Sequence, residues 1–293
     1  MEIQVPLILF IAFCAASAGI FASQAVLALK GEAKEAQMPS LIASFAALVI
    51  GGVAVLFHLA QPLHIFNGFG NPTSGITQEL IAIVVLVVVM LVYFVMLRRN
   101  DGEVPKWCAI CAIAIAIVLD AVCAHSYMMA SRPAWDSILQ VLSVIGASCA
   151  VGPAVVAAVA ELKKAEAPSI GMLALVGAIV GLVTTIAYVA ALASSGGALT
   201  TMGTYIDPTN PTAAIFTDAA SVSPFAGAAM MPTVIAVIAS ALAVVFAWLG
   251  KAKGNWKLFG TVAAVCALVA AIALRVTFYV LGMSVYNFYG ITG

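Results

Sequence analysis

The chain is short of charge. Of its 293 residues, 8% are Asp, Glu, Lys or Arg, and 64% are apolar. Soluble domains carry roughly 25% charged and about 45–50% apolar residues, so this chain cannot cover a globule with a wettable surface. Twelve basic residues balance twelve acidic ones, so no excess of basic charge points to nucleic acid. The six cysteines, Cys14, Cys108, Cys111, Cys123, Cys149 and Cys266, are scattered through apolar runs. That excludes the closely spaced set that ligates a ferredoxin-type cluster. Cys108 and Cys111 form one C-x-x-C pair, but with no second pair they read as ordinary small membrane residues. No glycine fingerprint for a dinucleotide follows a strand, because no strands are expected.

Long apolar runs are abundant. A bilayer core about 30 Å thick needs roughly 20 mostly apolar residues per helical span. Eight such runs occur, near residues 5–29, 41–63, 80–97, 107–129, 138–162, 170–193, 230–249 and 258–286. They lack the alternation of barrel strands, and helices satisfy their own backbone groups in lipid. The expected fold is an all-α integral membrane protein with eight transmembrane helices in one bundle, a single polytopic membrane domain over residues 1–293. Glu2 and the lack of an early basic residue make the first run a retained helix rather than a signal peptide. Four-plus-four duplication is compatible with eight spans, although no internal repeat stands out.

The basic residues are unevenly placed. Connections after the odd spans hold Lys30, Lys34, Arg98, Arg99, Lys106, Lys163, Lys164, Lys251, Lys253 and Lys257, whereas the other face holds Arg132 alone. The positive-inside rule therefore puts the odd connections in the cytoplasm, and both termini and the even connections outside. The outer stretch 194–229 has no Lys or Arg. It reads as a long loop, and its Tyr205, Ile206, Ile215 and Phe216 suit a covered surface.

Ionisable residues inside spans are costly and usually mark a pathway or a binding site. Here they gather toward the outer leaflet. His58 falls near the end of the second span, and Glu79 opens the third, with Thr77 as its expected N-cap. Asp120, His125 and Tyr127 follow on the fourth, and Arg275 lies on the eighth with Tyr279 and Tyr286 on the same face. Asp120 and Arg275 share a depth, so a buried ion pair is expected. His125, about 140° around the helix from Asp120, points elsewhere.

The segment His58-Leu59-Ala60-Gln61-Pro62-Leu63-His64-Ile65-Phe66-Asn67, followed by Ser74 and Glu79, resembles the membrane-anchor subunit of the anaerobic dimethyl sulfoxide reductase family (DmsC-like). That family carries a His-Leu-Gly-x-Pro-x-x-x-Phe-Asn stretch leading to a Ser and a Glu before the third helix; Ala60 stands here in place of the Gly. The opening Ala18-Gly19-Ile20-Phe21 through Gly31, the run from Tyr127 to Trp135 and the Gly152-Pro153 pair are also similar.

The resemblance implies a membrane anchor for two partners, a ferredoxin-like iron–sulfur subunit on the extracytoplasmic face and a molybdopterin catalytic subunit. It implies oxidation of a quinol, commonly menaquinol, in anaerobic respiration at a bacterial or archaeal cytoplasmic membrane. The clusters and molybdopterin belong to the partners, no cofactor or metal is expected on this chain, and the terminal reductase site lies elsewhere. His58 and Glu79 are implicated in quinol chemistry, with Gln61, Pro62, Phe66, Asn67, Asp120, His125, Tyr127 and Arg275 as further quinol-binding candidates. Quinol oxidation releases two protons, which a histidine and a carboxylate can accept. Two other classes fit the buried charges. A haem b-type anchor would use His58 and His125 as axial ligands. A secondary transporter would use a helix broken at Gly152-Pro153.

Overall fold

The computed structural model describes residues 4–59, 61, 67, 69–206 and 222–288. These residues form an all-helical protein with no strand among them, and eight helices are long and apolar enough to cross a membrane. They are α1 (Val5–Leu29), α2 (Lys34–Leu56), α3 (Gly75–Arg99), α4 (Lys106–His125), α5 (Ile138–Leu162), α6 (Ile170–Ile206), α7 (Gly227–Lys253) and α8 (Trp256–Leu281). A last turn, α9, covers Val285–Phe288.

The two halves are built alike in part. In the first, α1 packs on α2 and α4, and α3 on α4; in the second, α5 packs on α6 and α8, and α7 on α8, but α6 also packs broadly on α7 where α2 only touches α3. The halves meet chiefly through α1 and α5, the two most enclosed helices. Small residues permit that contact. A Cβ on Gly19 would strike the Ser148 carbonyl, and one on Gly152 would strike the Gly19 backbone. Close backbone approach at small residues is the usual driver of helix association in lipid, where apolar burial offers little. The outer helices turn Val88, Leu91, Phe94, Val183 and Ile238 outward, an apolar surface suited to lipid tails.

The two ends of the bundle differ. At the basic end the connections are tied together. Lys30 donates to Ser169 at 2.9 Å, both Glu32 carboxylate oxygens accept from Ser169, and Lys34 pairs with Glu103 at 3.1 Å. At the opposite end lie the start of α3, the end of α4, the 126–137 connection and the end of α8.

Several helix bounds depart from the hydropathy runs. The second helix begins seven residues earlier than its run and stops at Leu56, so His58 lies in the turn beyond it. An apolar count marks residues that tolerate lipid, whereas the helix starts in the polar sequence Lys34-Glu35. Past Leu56 the apolar count continues, but Pro62 offers no amide to a helix and disfavours the α conformation at Gln61. The third helix starts at Gly75 with Ser74 as N-cap, not Thr77, which is buried inside the first turn. The fourth ends at His125, leaving Tyr127 in the following turn, and Tyr286 belongs to α9 rather than α8. The sixth runs on to Ile206, so the first residues of the expected 194–229 loop are helical, as are those from Gly227. Residues 207–221, with Ile215 and Phe216, lie outside the described residues.

Candidate functional site

Glu79 is the fifth residue of α3 and is 7% exposed. Its Oε1 accepts a hydrogen bond from the Ser126 hydroxyl. Ser126 caps the C-terminus of α4, its amide bonding the Val122 carbonyl and its hydroxyl lying 3.2 Å from the Cys123 carbonyl oxygen. Gly75 makes this approach possible, because a Cβ there would sit 2.9 Å from Ser126 Cβ. The start of α3 thus bears directly on the end of α4. A carboxylate near a helix N-terminus also suits the positive end of the helix dipole.

Next to this pair stands an aromatic wall. Tyr127 makes edge contacts with Trp135 at 6.1 Å, Phe278 at 5.9 Å and Tyr279 at 6.4 Å. Trp135 stacks on Phe278 with centroids 4.6 Å apart and donates its indole N–H to the Phe278 carbonyl at 2.8 Å. Arg132 covers the other face of this group, its Cζ 4.6 Å from the Trp135 ring, and donates to the Gly282 carbonyl. Burial, then the neighbouring Tyr279 and Glu79, push the Tyr127 phenol up. Tyr127 therefore stays protonated and able to donate across the physiological range.

Arg275 and Asp120 do not form the expected ion pair. Arg275 is buried on α8, donates to the Ser143 hydroxyl of α5, and lies against the rings of Tyr188 and Phe278. Asp120 is buried on α4 beside Ser148 of α5. Ser143 and Ser148 are five residues apart, about 140° around α5. The two charges therefore meet different sides of α5, and similar depth does not bring them together.

The histidines occupy the same end but not the pair itself. His58 is exposed in the turn after α2, beside Phe57, which is 81% exposed. His125 is exposed at the last turn of α4, and no hydrogen bond joins either histidine to Glu79. Both stand at helix ends rather than within the bundle, which removes the basis for pairing them across a haem buried between spans. Gln61 and Asn67 are exposed at this end, while Pro62 and Phe66 lie outside the described residues. Among the described residues no group of three His, Cys, Asp or Glu side chains could hold a metal. The helix α5 continues unbroken through Gly152 and Pro153, so the discontinuous helix of the transporter reading is absent. Pro153 leaves the Cys149 carbonyl without its helical donor, and α6 packs against that carbonyl at Gly177.

The structure adds Ser126 and Trp135 to the site. Ser126 had a faint signal, standing between the singled-out His125 and Tyr127; its pairing across helices had none.

A family model for the DMSO reductase anchor subunit (DmsC) matches residues 1–281 of the chain. The chain belongs to this family. No curated protein matches it. This DmsC-family chain is accordingly a multi-pass membrane protein and the anchor of a DMSO reductase complex, a multi-subunit oxidoreductase. Membership implies association with the catalytic and iron–sulfur subunits of that complex, and is consistent with Fe–S clusters and molybdopterin residing in those partners. The matched region takes in α1 to α8 and with them the Glu79–Ser126 pair and the aromatic wall.

Proposed function

We propose that this chain oxidises a quinol, menaquinol by family resemblance, at the Glu79 end of the bundle and passes the electrons to its iron–sulfur partner. The observation that carries the reading is the buried Glu79–Ser126 pair, set at the same end as His58 and beside the Tyr127 wall. Oxidation of one quinol to quinone releases two electrons and two protons. The electrons go to the cluster of the docked iron–sulfur subunit, and each hydroxyl proton needs an acceptor within hydrogen-bond reach. His58 takes one, on the imidazole nitrogen that a neutral ring offers as an acceptor. Glu79 takes the other, with Ser126 fixing the orientation of its carboxylate. Tyr127 walls the ring and orients it through its protonated hydroxyl, and exposed Gln61, Asn67 and His125 lie on the way to water. Arg275 stands deeper, holding Ser143 and the Phe278 edge of the wall.

Ten basic residues at the opposite end against Arg132 at this one support an extracytoplasmic Glu79 end. In this reading the iron–sulfur subunit docks there, both termini lie outside, and the membrane is the cytoplasmic membrane of a bacterium or archaeon respiring anaerobically. The test is the assembled complex carrying His58→Ala or Glu79→Gln. Quinol-driven reduction is expected to collapse, while reduction driven by a dye that feeds the partner subunits directly persists. Unchanged quinol-driven turnover in both variants overturns the assignment.

A further inference from the structure

Between α4 and α6 the lipid-facing surface opens into a groove floored by α1 and α5. Ile117 of α4 and Val176 and Val180 of α6 stand exposed at its edges, so its mouth faces lipid tails. Its lining is apolar apart from Asp120 and small residues such as Ser148, and includes no Lys or Arg. Asp120 is 3% exposed, and its Oδ1 has no hydrogen-bond partner. A buried acceptor without a donor is costly, and native proteins rarely leave one unmet. Here the unmet oxygen belongs to a side chain that lines a groove open to the bilayer.

The chemistry of the groove selects its occupant. Asp120 lies five residues from the end of α4, roughly 7–8 Å below it, too deep for a phospholipid headgroup. With no cation in the lining, a phosphate would meet only the carboxyl. The fitting ligand is neutral, carries a hydroxyl, and is otherwise apolar and slender. From Asp120 to Ile113 the lining extends along α4 for about 10 Å, the length of two or so isoprene units. Within the membrane, a quinol with an isoprenoid tail meets each condition.

We infer that this groove is a second quinol position, in which a ring hydroxyl donates to Asp120 Oδ1 and the tail lies between α4 and α6. The inference rests on the quinol reading above and adds a holding place for quinol taken up from the bilayer. No redox step occurs there. Cys123, three residues from both Asp120 and Ser126, stands on α4 between the groove and the Glu79 pair.

The test uses the intact complex in membranes, without terminal acceptor, and a menaquinol analogue bearing a diazirine on its isoprenoid tail. After photolysis, mass spectrometry maps the label. Label is expected on the 113–120 and 173–180 segments and, separately, near the Glu79 end. Asp120→Leu and Ala116→Phe are each expected to lower groove label at least fivefold while label at the Glu79 end remains. Asp120→Asn, which keeps an acceptor of the same shape, retains it within twofold, and dye-driven activity confirms assembly of each variant. Label at the Glu79 end with none in the groove overturns this inference alone. Groove label that survives Asp120→Leu, or that a diazirine phospholipid reproduces equally, overturns it too. Absence of label at both places overturns the quinol reading on which it rests.

Discussion

The Ser126 hydroxyl donates to Glu79 Oε1 across the junction of α4 and α3, joining a helix C-cap to a carboxylate in the second turn of its neighbour. Hydrogen bonds to charged groups contribute about 1.5–3 kcal/mol, so this contact holds the Glu79 carboxylate in one orientation. Ser126→Ala frees the carboxylate without removing it, and quinol-driven kcat is expected to fall about tenfold. Glu79→Gln removes the proton acceptor and is expected to cost 100-fold or more. Steady-state assays with quinol and with dye in parallel separate the two effects from assembly. Equal losses in both variants would make Ser126 part of the acceptor itself.

Trp135 is expected to be the main structural support of the site. It is buried, stacks on Phe278, bonds the Phe278 carbonyl, and lies beneath Arg132. Large-to-small changes at such a position cost about 3–5 kcal/mol. Trp135→Ala should lower the thermal midpoint of the complex by several degrees and lower dye-driven and quinol-driven activity together. Trp135→Phe keeps the stacking and loses one hydrogen bond, worth about 1 kcal/mol, so its midpoint should lie near that of the wild type.

The junction of the two halves depends on Gly152, whose hydrogen faces the Gly19 backbone. Gly152→Ala forces α1 and α5 apart. Overpacking of this kind costs about 1–3 kcal/mol. A lower thermal midpoint and lower yield in membranes are expected. Gly52, on α2, has no atom near its Cβ direction, so Gly52→Ala serves as the control and should leave both unchanged.

Fold class was legible in the sequence because lipid imposes a length and a composition on every span. All eight runs became helices, and 5–29 and 138–162 kept their bounds. Bounds failed where hydropathy and helix formation part company. Lys34 and Glu35 begin α2 in polar sequence, and α6 continues through Ser194, Ser195 and Gly196 because Ser195 and Leu199 are buried in the bundle. Glu79 was legible as a costly carboxylate at a span edge. Its partner was not, because pairing across helices leaves no local pattern. The Asp120–Arg275 expectation failed for the same reason in reverse: depth is readable from sequence, but which side of α5 a residue meets is set by packing.

The most direct test of quinol oxidation at the Glu79 end is the side on which its protons appear. The complex is reconstituted in vesicles of known orientation, with pH indicators inside and outside, and given quinol and, in place of the terminal acceptor, an impermeant one-electron oxidant of the partner subunits that takes up no proton. The account predicts two protons per two electrons released on the Glu79 side, and loss of that signal in Glu79→Gln while dye-driven reduction persists. Release of those protons on the side of Lys30, Arg98 and Lys163 would contradict it.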